Sequence, residues 1–235
     1  MTIIADSLQA ILANIRQAQQ DAKRQGNVRL LAVSKAQPAE NLRAAYMAGQ
    51  TAFGESYLQE ALAKQAQLAD CAIEWHFIGP IQSNKTTPIA QHFDWVHSVD
   101  RIKLVERLAK ARPSDKPPLN VCVQYNSSAE TSKSGADMHA LGELAAAVVT
   151  EPRLKLRGLM AIPAPAKDFA TQRTQFRIVH EAFLALQKQG LVLDTLSIGM
   201  SDDYIAAIHE GATMVRIGSA LFGNRPAKIK DEITT

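Results

Sequence analysis

Leu30-Leu31-Ala32-Val33-Ser34-Lys35, near the start of the chain, and Met214-Val215-Arg216-Ile217-Gly218-Ser219, near its end, are short apolar runs that close on polar groups. Runs of this kind read as strands buried on both faces. If both belong to one closed parallel barrel, the first and last strands are neighbours. An amine, a guanidinium and a glycine-serine turn then converge on one rim. That set suits a phosphorylated aldehyde.

Outward from these two runs, apolar segments alternate with amphipathic ones along the whole chain. Eight such segments read as strands, at 28–34, 51–54, 74–78, 95–98, 119–125, 156–162, 195–198 and 214–218. Helical patterns lie between them at 38–48, 57–69, 101–111, 136–149 and 168–188, and an extra helix at 6–24 precedes the first strand. Repeated strand-helix units of this number predict a (β/α)8 barrel. A doubly wound open sheet permits the same alternation, but it usually has fewer strands and a glycine-rich turn after the first, and no Gly-x-Gly-x-x-Gly occurs. Gly26, Gly49, Gly190 and Gly211 each follow a helical stretch, where a left-handed cap is needed. No composition shift divides the chain, so the reading is one domain over 1–235 with a short tail at 224–235.

Composition narrows the function classes. With 235 residues, 46% hydrophobic and 21% charged, the chain has the balance of a soluble globular protein large enough for a full barrel. Two cysteines, Cys71 and Cys122, lack metal-ligand spacing and read as reduced thiols, and no His-x-His or carboxylate cluster suggests a metal. The N-terminus has no basic-then-apolar leader, and no window approaches the ~18 apolar residues of a membrane span. Cytoplasm is the default compartment. The net charge of +3 is spread among acidic residues, and the basic tail residues Lys228 and Lys230 are followed by Asp231 and Glu232. Nothing calls for nucleic acid.

In a barrel of this type the loops after the strands build the active rim. Alternation puts Leu31, Val33 and Lys35 on one face of the first strand, so Lys35 stands above barrel-lining apolar residues. An amine partly removed from water beside another cation is a nucleophile toward carbonyls, and Schiff-base chemistry follows. On position alone, a surface lysine just past a strand is the favoured reading, and it is the companion residues that turn the balance. Ser201, in Ile198-Gly199-Met200-Ser201-Asp202-Asp203, is placed to cap a helix beside an anion, and Gly218-Ser219 offers a second small-residue loop. Asp202 and Asp203 would repel a phosphate unless they point back along that helix from its first turn. Arg216, two residues before Gly218, shares its face and would rise toward a ring nitrogen or else form a barrel-interior salt bridge. His76 reads as a hydrogen-bonded barrel histidine or as a group reaching the ring. Lys133, in Ser132-Lys133-Ser134-Gly135, is a second candidate amine.

The strings LLAVSKAQP, FGESY, WHFIGPIQSNK, SKSG, RGLMAIPAP, GMSDD and MVRIGSALFG occur in this order from the first strand to Gly223. Together they resemble the pyridoxal-phosphate homeostasis (YggS/PROSC) family, and GMSDD with MVRIGSALFG makes the match specific. The resemblance implies the barrel of the alanine racemase N-terminal domain and pyridoxal 5'-phosphate as cofactor. By position, Lys35 resembles the family's Schiff-base lysine and Arg216 the arginine opposite the pyridine nitrogen. Ser201, Gly218 and Ser219 resemble the phosphate cradle, and Met160 and Met200 the residues lining the ring. Three departures stand out. Ser56 replaces the usual asparagine of FGESY, a second lysine often found two residues after Lys35 is absent, and Ser219 replaces a common threonine.

Racemases add a β-rich domain and a tyrosine base across a dimer. The four tyrosines of this sequence, Tyr46, Tyr57, Tyr125 and Tyr204, all fall within the barrel pattern. The expectation is therefore a cytoplasmic monomer that holds pyridoxal phosphate and supplies it to apo enzymes without turnover. A low-efficiency amino-acid racemase is one alternative. An aldolase-like barrel, whose lysine bonds substrate rather than cofactor, is another.

Overall fold

The computed structural model describes residues 3–128 and 134–223. Eight parallel strands close into one barrel in sequence order. They are β1 (Arg29–Val33), β2 (Ala52–Glu55), β3 (Glu74–Phe77), β4 (Trp95–Val99), β5 (Leu119–Gln124), β6 (Leu154–Met160), β7 (Thr195–Ser197) and β8 (Met214–Ile217). β1 pairs with both β2 and β8, with Leu31 opposite Arg216 and Ala32 opposite Ile217. The quoted stretches are thus adjacent staves, as the barrel reading requires.

The helices α1 (Ile3–Asp21), α2 (Ala39–Met47), α3 (Leu58–Gln67), α4 (Thr86–His92), α5 (Ile102–Ala111), α6 (Met138–Thr150), α7 (Phe169–Lys188), α8 (Tyr204–His209) and α9 (Ser219–Phe222) are the helices among the described residues. The extra helix starts and ends three residues earlier than its sequence pattern. It buries Leu8, Ile11, Ile15 and Ala18, a stripe at helical spacing, and packs against α2, α8 and α9. The expected tail at 224–235 lies outside the described residues. α4, with a short 3-10 turn over Ser83–Lys85 before it, was not among the helical patterns read from sequence. Its seven residues are too few for a periodic signal, and Pro88 sits in the first turn, where no backbone donor is needed.

Two cores result from the strand period of two. Leu30 and Ala32 face outward into the large cluster between sheet and helices, whereas Leu31, Ala52 and Met214 pack inside the barrel against Ile78. Trp95, Cys122 and Met160 form a second interior cluster. Burial of its sulfur pushes the Cys122 thiol up to about 12, which keeps it protonated. Both cysteines are free thiols.

Gly26, Gly49, Gly190 and Gly211 have φ between 91° and 104°, the left-handed conformation expected at these caps. Gly158 is constrained by space rather than by a cap. Its φ is 154°, and a Cβ there would lie 1.8 Å from the Thr195 carbonyl oxygen, where β6 meets β7. Gly158→Ala is expected to destabilise the protein by about 3 kcal/mol or more, through overpacking together with backbone strain. Urea denaturation reads the loss, and an unchanged midpoint would contradict the close approach.

Candidate functional site

At the C-terminal ends of β1, β7 and β8 lies a cavity of about 250 Å³. Lys35, Met200, Ser201, Arg216, Gly218 and Ser219 all line it, with Val33, Gln37, Ser56, Ile78, Ile162 and Asp202 completing much of the wall. Met160, expected beside the ring, does not line this cavity. It is 1% exposed and lines an adjoining cavity with Pro80, Gln124 and Ser134, which shares Ile78 and Ile162 with the first. Lys133 lies outside the described residues.

Lys35 occupies the turn after β1 and is half-buried. A buried cage fixes the residues on either side of it. Ser34 Oγ donates to Glu55 Oε1 at 2.6 Å, and Lys64 Nζ donates to the Ser34 carbonyl at 2.7 Å. Lys64 also contacts Glu55 at 2.8 Å and Glu60 at 2.5 Å. Glu60 in turn accepts the Ala36 N–H at 2.6 Å. Ala36 has φ 59°, a conformation an L-residue keeps only when its surroundings impose it. The backbone that aims Lys35 is therefore held from both sides. Sequence reasoning missed this cage, because Glu60 and Lys64 are spaced like an ordinary helix-surface pair and Glu55 belongs to the preceding strand.

Arg216 is 5% exposed. Its Nη1 donates to the carbonyl and, at 3.0 Å, to the hydroxyl of Ser197, and its Nη2 donates to the Ala161 carbonyl at 3.0 Å. Burial lowers its pKa to about 10, with Asp203 and Cys122 opposing, so the guanidinium stays charged at neutral pH. The open choice between a ring-facing arginine and an interior salt bridge is narrowed here. These three hydrogen bonds go to neutral groups, and the side chain reaches the cavity.

The expectation for Ser201 needs correcting. Helix α8 begins at Tyr204, and its N-cap residue is Asp203. The Asp203 carboxylate folds back onto the Met200 N–H at 2.6 Å, closing a turn over 200–203 that sets Ser201 ahead of the helix. Asp202 and Asp203 accordingly lie in that turn and not in a first helical turn. Burial, partly offset by the Met200 N–H and Arg216, raises the Asp203 pKa. Ser201 Oγ meets Ser219 Oγ at 3.1 Å across the loops after β7 and β8. Gly218 lies beside them, and a Cβ there would come within 3.0 Å of the Val33 carbonyl oxygen. Two hydroxyls and a bare backbone make a place for an anion's oxygens, with the Asp202 carboxylate on the same cavity wall as the one charge opposing it.

These groups fit pyridoxal phosphate. The cavity offers a half-buried amine for the aldehyde, a buried cationic donor for a ring nitrogen and a hydroxyl pair for the phosphate. Its volume suits one small ring, lying below the roughly 300–1,000 Å³ of drug-sized pockets.

Comparison with known proteins points the same way. Residues 7–226 match the family model described as alanine racemase, N-terminal domain. A pyridoxal phosphate homeostasis protein of Pseudomonas aeruginosa is 58% identical over 226 residues, which cover 96% of this chain and 97% of that protein. PipY of Synechococcus elongatus, solved with pyridoxal phosphate bound, has a TM-score of 0.81 at 36% identity, covering 94% of this chain and 100% of that one. Alanine racemase of Corynebacterium glutamicum shares the fold at a TM-score of 0.67 and 23% identity, covering 94% of this chain and 62% of the racemase. Identity at this level over nearly the whole length places the chain in the pyridoxal phosphate homeostasis protein family, built on the barrel of the alanine racemase N-terminal domain.

Proposed function

We propose that this protein holds pyridoxal phosphate as a Schiff base on Lys35 and serves its intracellular supply without catalytic turnover. The observation that carries this reading is the convergence of Lys35, Arg216 and the Ser201–Ser219 hydroxyl pair on one cavity. When bound, pyridoxal phosphate supplies an electrophilic aldehyde and, if its ring nitrogen is protonated, an electron sink. Arg216 donates hydrogen bonds and keeps its own proton, so it favours an unprotonated ring nitrogen and a weak sink. Racemisation also asks for an acid-base group on each face of the ring. Among the described residues that line the cavity, the titratable side chains are Lys35, Asp202 and Arg216, with no tyrosine or histidine.

We place this function in a cytoplasmic monomer that passes the cofactor to apo enzymes. Two free thiols are in keeping with a reducing compartment, and no helix among the described residues is long and apolar enough to cross a membrane. The test loads the protein with pyridoxal phosphate and follows two signals. One is reactivation of an apo enzyme that depends on pyridoxal phosphate, and the other is circular dichroism of added L-alanine. Reactivation with a flat dichroism trace is the expected result, whereas decay of the L-alanine signal would favour the racemase reading.

The hydroxyl pair gives a separate prediction. Ser201→Ala combined with Ser219→Ala removes two hydrogen bonds to a charged phosphate, each contributing about 1.5–3 kcal/mol. The variant is expected to lose its preference for pyridoxal phosphate over pyridoxal by about a hundredfold or more. Equal weakening toward both ligands in a spectrophotometric titration would move the phosphate elsewhere.

A further inference from the structure

Below the cavity the barrel axis carries a line of polar groups. Glu74 and His76 are two residues apart on β3 and face inward together, joined there by His97 of β4 and Ser197 of β7. Glu74 Oε1 lies 2.6 Å from His76 Nε2, His76 Nδ1 lies 2.8 Å from His97 Nε2, and His97 Nδ1 lies 3.0 Å from Ser197 Oγ. Ser197 Oγ then accepts from Arg216 at 3.0 Å. At the other end, Glu74 Oε1 also accepts from Arg29 Nη2 at 2.7 Å. Glu74 and Arg29 open β3 and β1, so they sit at the barrel floor, opposite the cavity. Both imidazoles are 0% exposed, and Trp95 stacks on His76 with centroids 5.2 Å apart.

One arrangement of protons satisfies every link. An ionised carboxylate only accepts, so the proton of neutral His76 is on Nε2 and its Nδ1 accepts. His97 then donates from Nε2 and accepts at Nδ1. The Ser197 hydroxyl donates to that nitrogen and turns its lone pairs to Arg216. Running the chain backwards would leave His76 Nε2 without a proton against the Glu74 carboxylate, two acceptors 2.6 Å apart. Burial lowers the pKa of both histidines, of His97 most strongly, which keeps the rings neutral. The groups facing this line from neighbouring elements are Arg29, Asp94, Cys122, Arg157 over Trp95, and Asp203.

We infer that Glu74, His76, His97 and Ser197 are positioning residues for Arg216, through which a carboxylate on the barrel floor sets the hydroxyl that holds the guanidinium. A change at the floor is then felt in the cavity without touching it. The inference rests on the reading of Arg216 as the group that faces the ring nitrogen.

Glu74→Gln tests it, because an amide both donates and accepts and so releases the direction of the chain. Nitrogen-15 NMR of the ligand-free protein reads the imidazole tautomers, and titration reads affinity for pyridoxal phosphate. The expected result is Nε2–H on both rings in the wild type, and a shift of His97 toward Nδ1–H in Glu74→Gln. Affinity should weaken by about fivefold to tenfold, the effect of one hydrogen bond. Ser197→Ala cuts the last link while keeping the floor intact, and it should lose as much affinity, with no further loss when the two changes are combined. An unchanged His97 tautomer, affinities within twofold of wild type, or losses that add in the double variant would each overturn the inference. Failure of the wild type to bind pyridoxal phosphate would instead overturn the ring-facing role of Arg216, with the tautomers still testing the chain.

Discussion

Lys35→Ala, given pyridoxal phosphate, is expected to show no visible Schiff-base band and to carry no covalent adduct after borohydride reduction. The wild type should show the band, and mass mapping of its reduced adduct should return Lys35. The argument is geometric. Among the described residues lining the cavity, Lys35 carries the one amine, and the Glu55–Lys64–Glu60 cage holds the backbone on both sides of it. Without the covalent bond, the proposed contacts from the hydroxyl pair and Arg216 would hold the ligand reversibly, at about 1.5–3 kcal/mol for each hydrogen bond to a charged group. Desalting should then strip it. An intact band in Lys35→Ala, with the adduct on Lys133, would move the covalent site to the second candidate amine.

The cage itself gives the second large effect. Lys64 is 6% exposed at its side chain and Glu55 is fully buried, so Lys64→Met leaves a buried carboxylate without its cation. Breaking such a pair from one side typically destabilises by about 3–5 kcal/mol. At roughly 2–4 °C per kcal/mol for a chain of this length, the melting temperature should fall by roughly 6–20 °C. Burial already raises the Glu55 pKa against the pull of Lys64 and Ser34, and removing the lysine raises it further. A carboxyl whose folded pKa lies above its unfolded value, about 4.3, makes the folded state bind the extra proton. Stability is then greatest at low pH and is lost as pH rises toward the folded pKa. The deficit of Lys64→Met should therefore be smaller at pH 5 than at pH 8 in denaturant titrations. A deficit independent of pH would mean that the cost is lost packing rather than a stranded charge.

The barrel was legible because its signals are local. Each stave is a short apolar run between glycine or helix signals, and the Lys35 and Arg216 runs each end on the groups that line the cavity. α4 was lost because seven residues give no period. The capping role expected of Ser201 failed because Asp203, two residues on, closes the preceding turn with its own carboxylate. The axial chain was illegible for a different reason. His76 and His97 are 21 residues apart, and Ser197 is 100 residues beyond His97, so only barrel closure brings them together. Lys64 likewise sits in a plain amphipathic helix, and nothing in its spacing tells that its amine turns inward toward Ser34.

The contact between Ser201 and Ser219 also bears on how the barrel is shut. β7 has three residues, and its ladder to β8 registers through Ser197 and Met214, where β5 and β6 register through six pairs. The hydroxyl pair spans this same short seam at its outer lip. A phosphate seated between the two hydroxyls would replace their mutual bond with a clamp across the seam, so that loading the cofactor also latches the last stave to its neighbour. A ligand that binds only the latched form stabilises it by mass action. A bound cofactor would thus double as a fastener, and its release would mean loosening the seam.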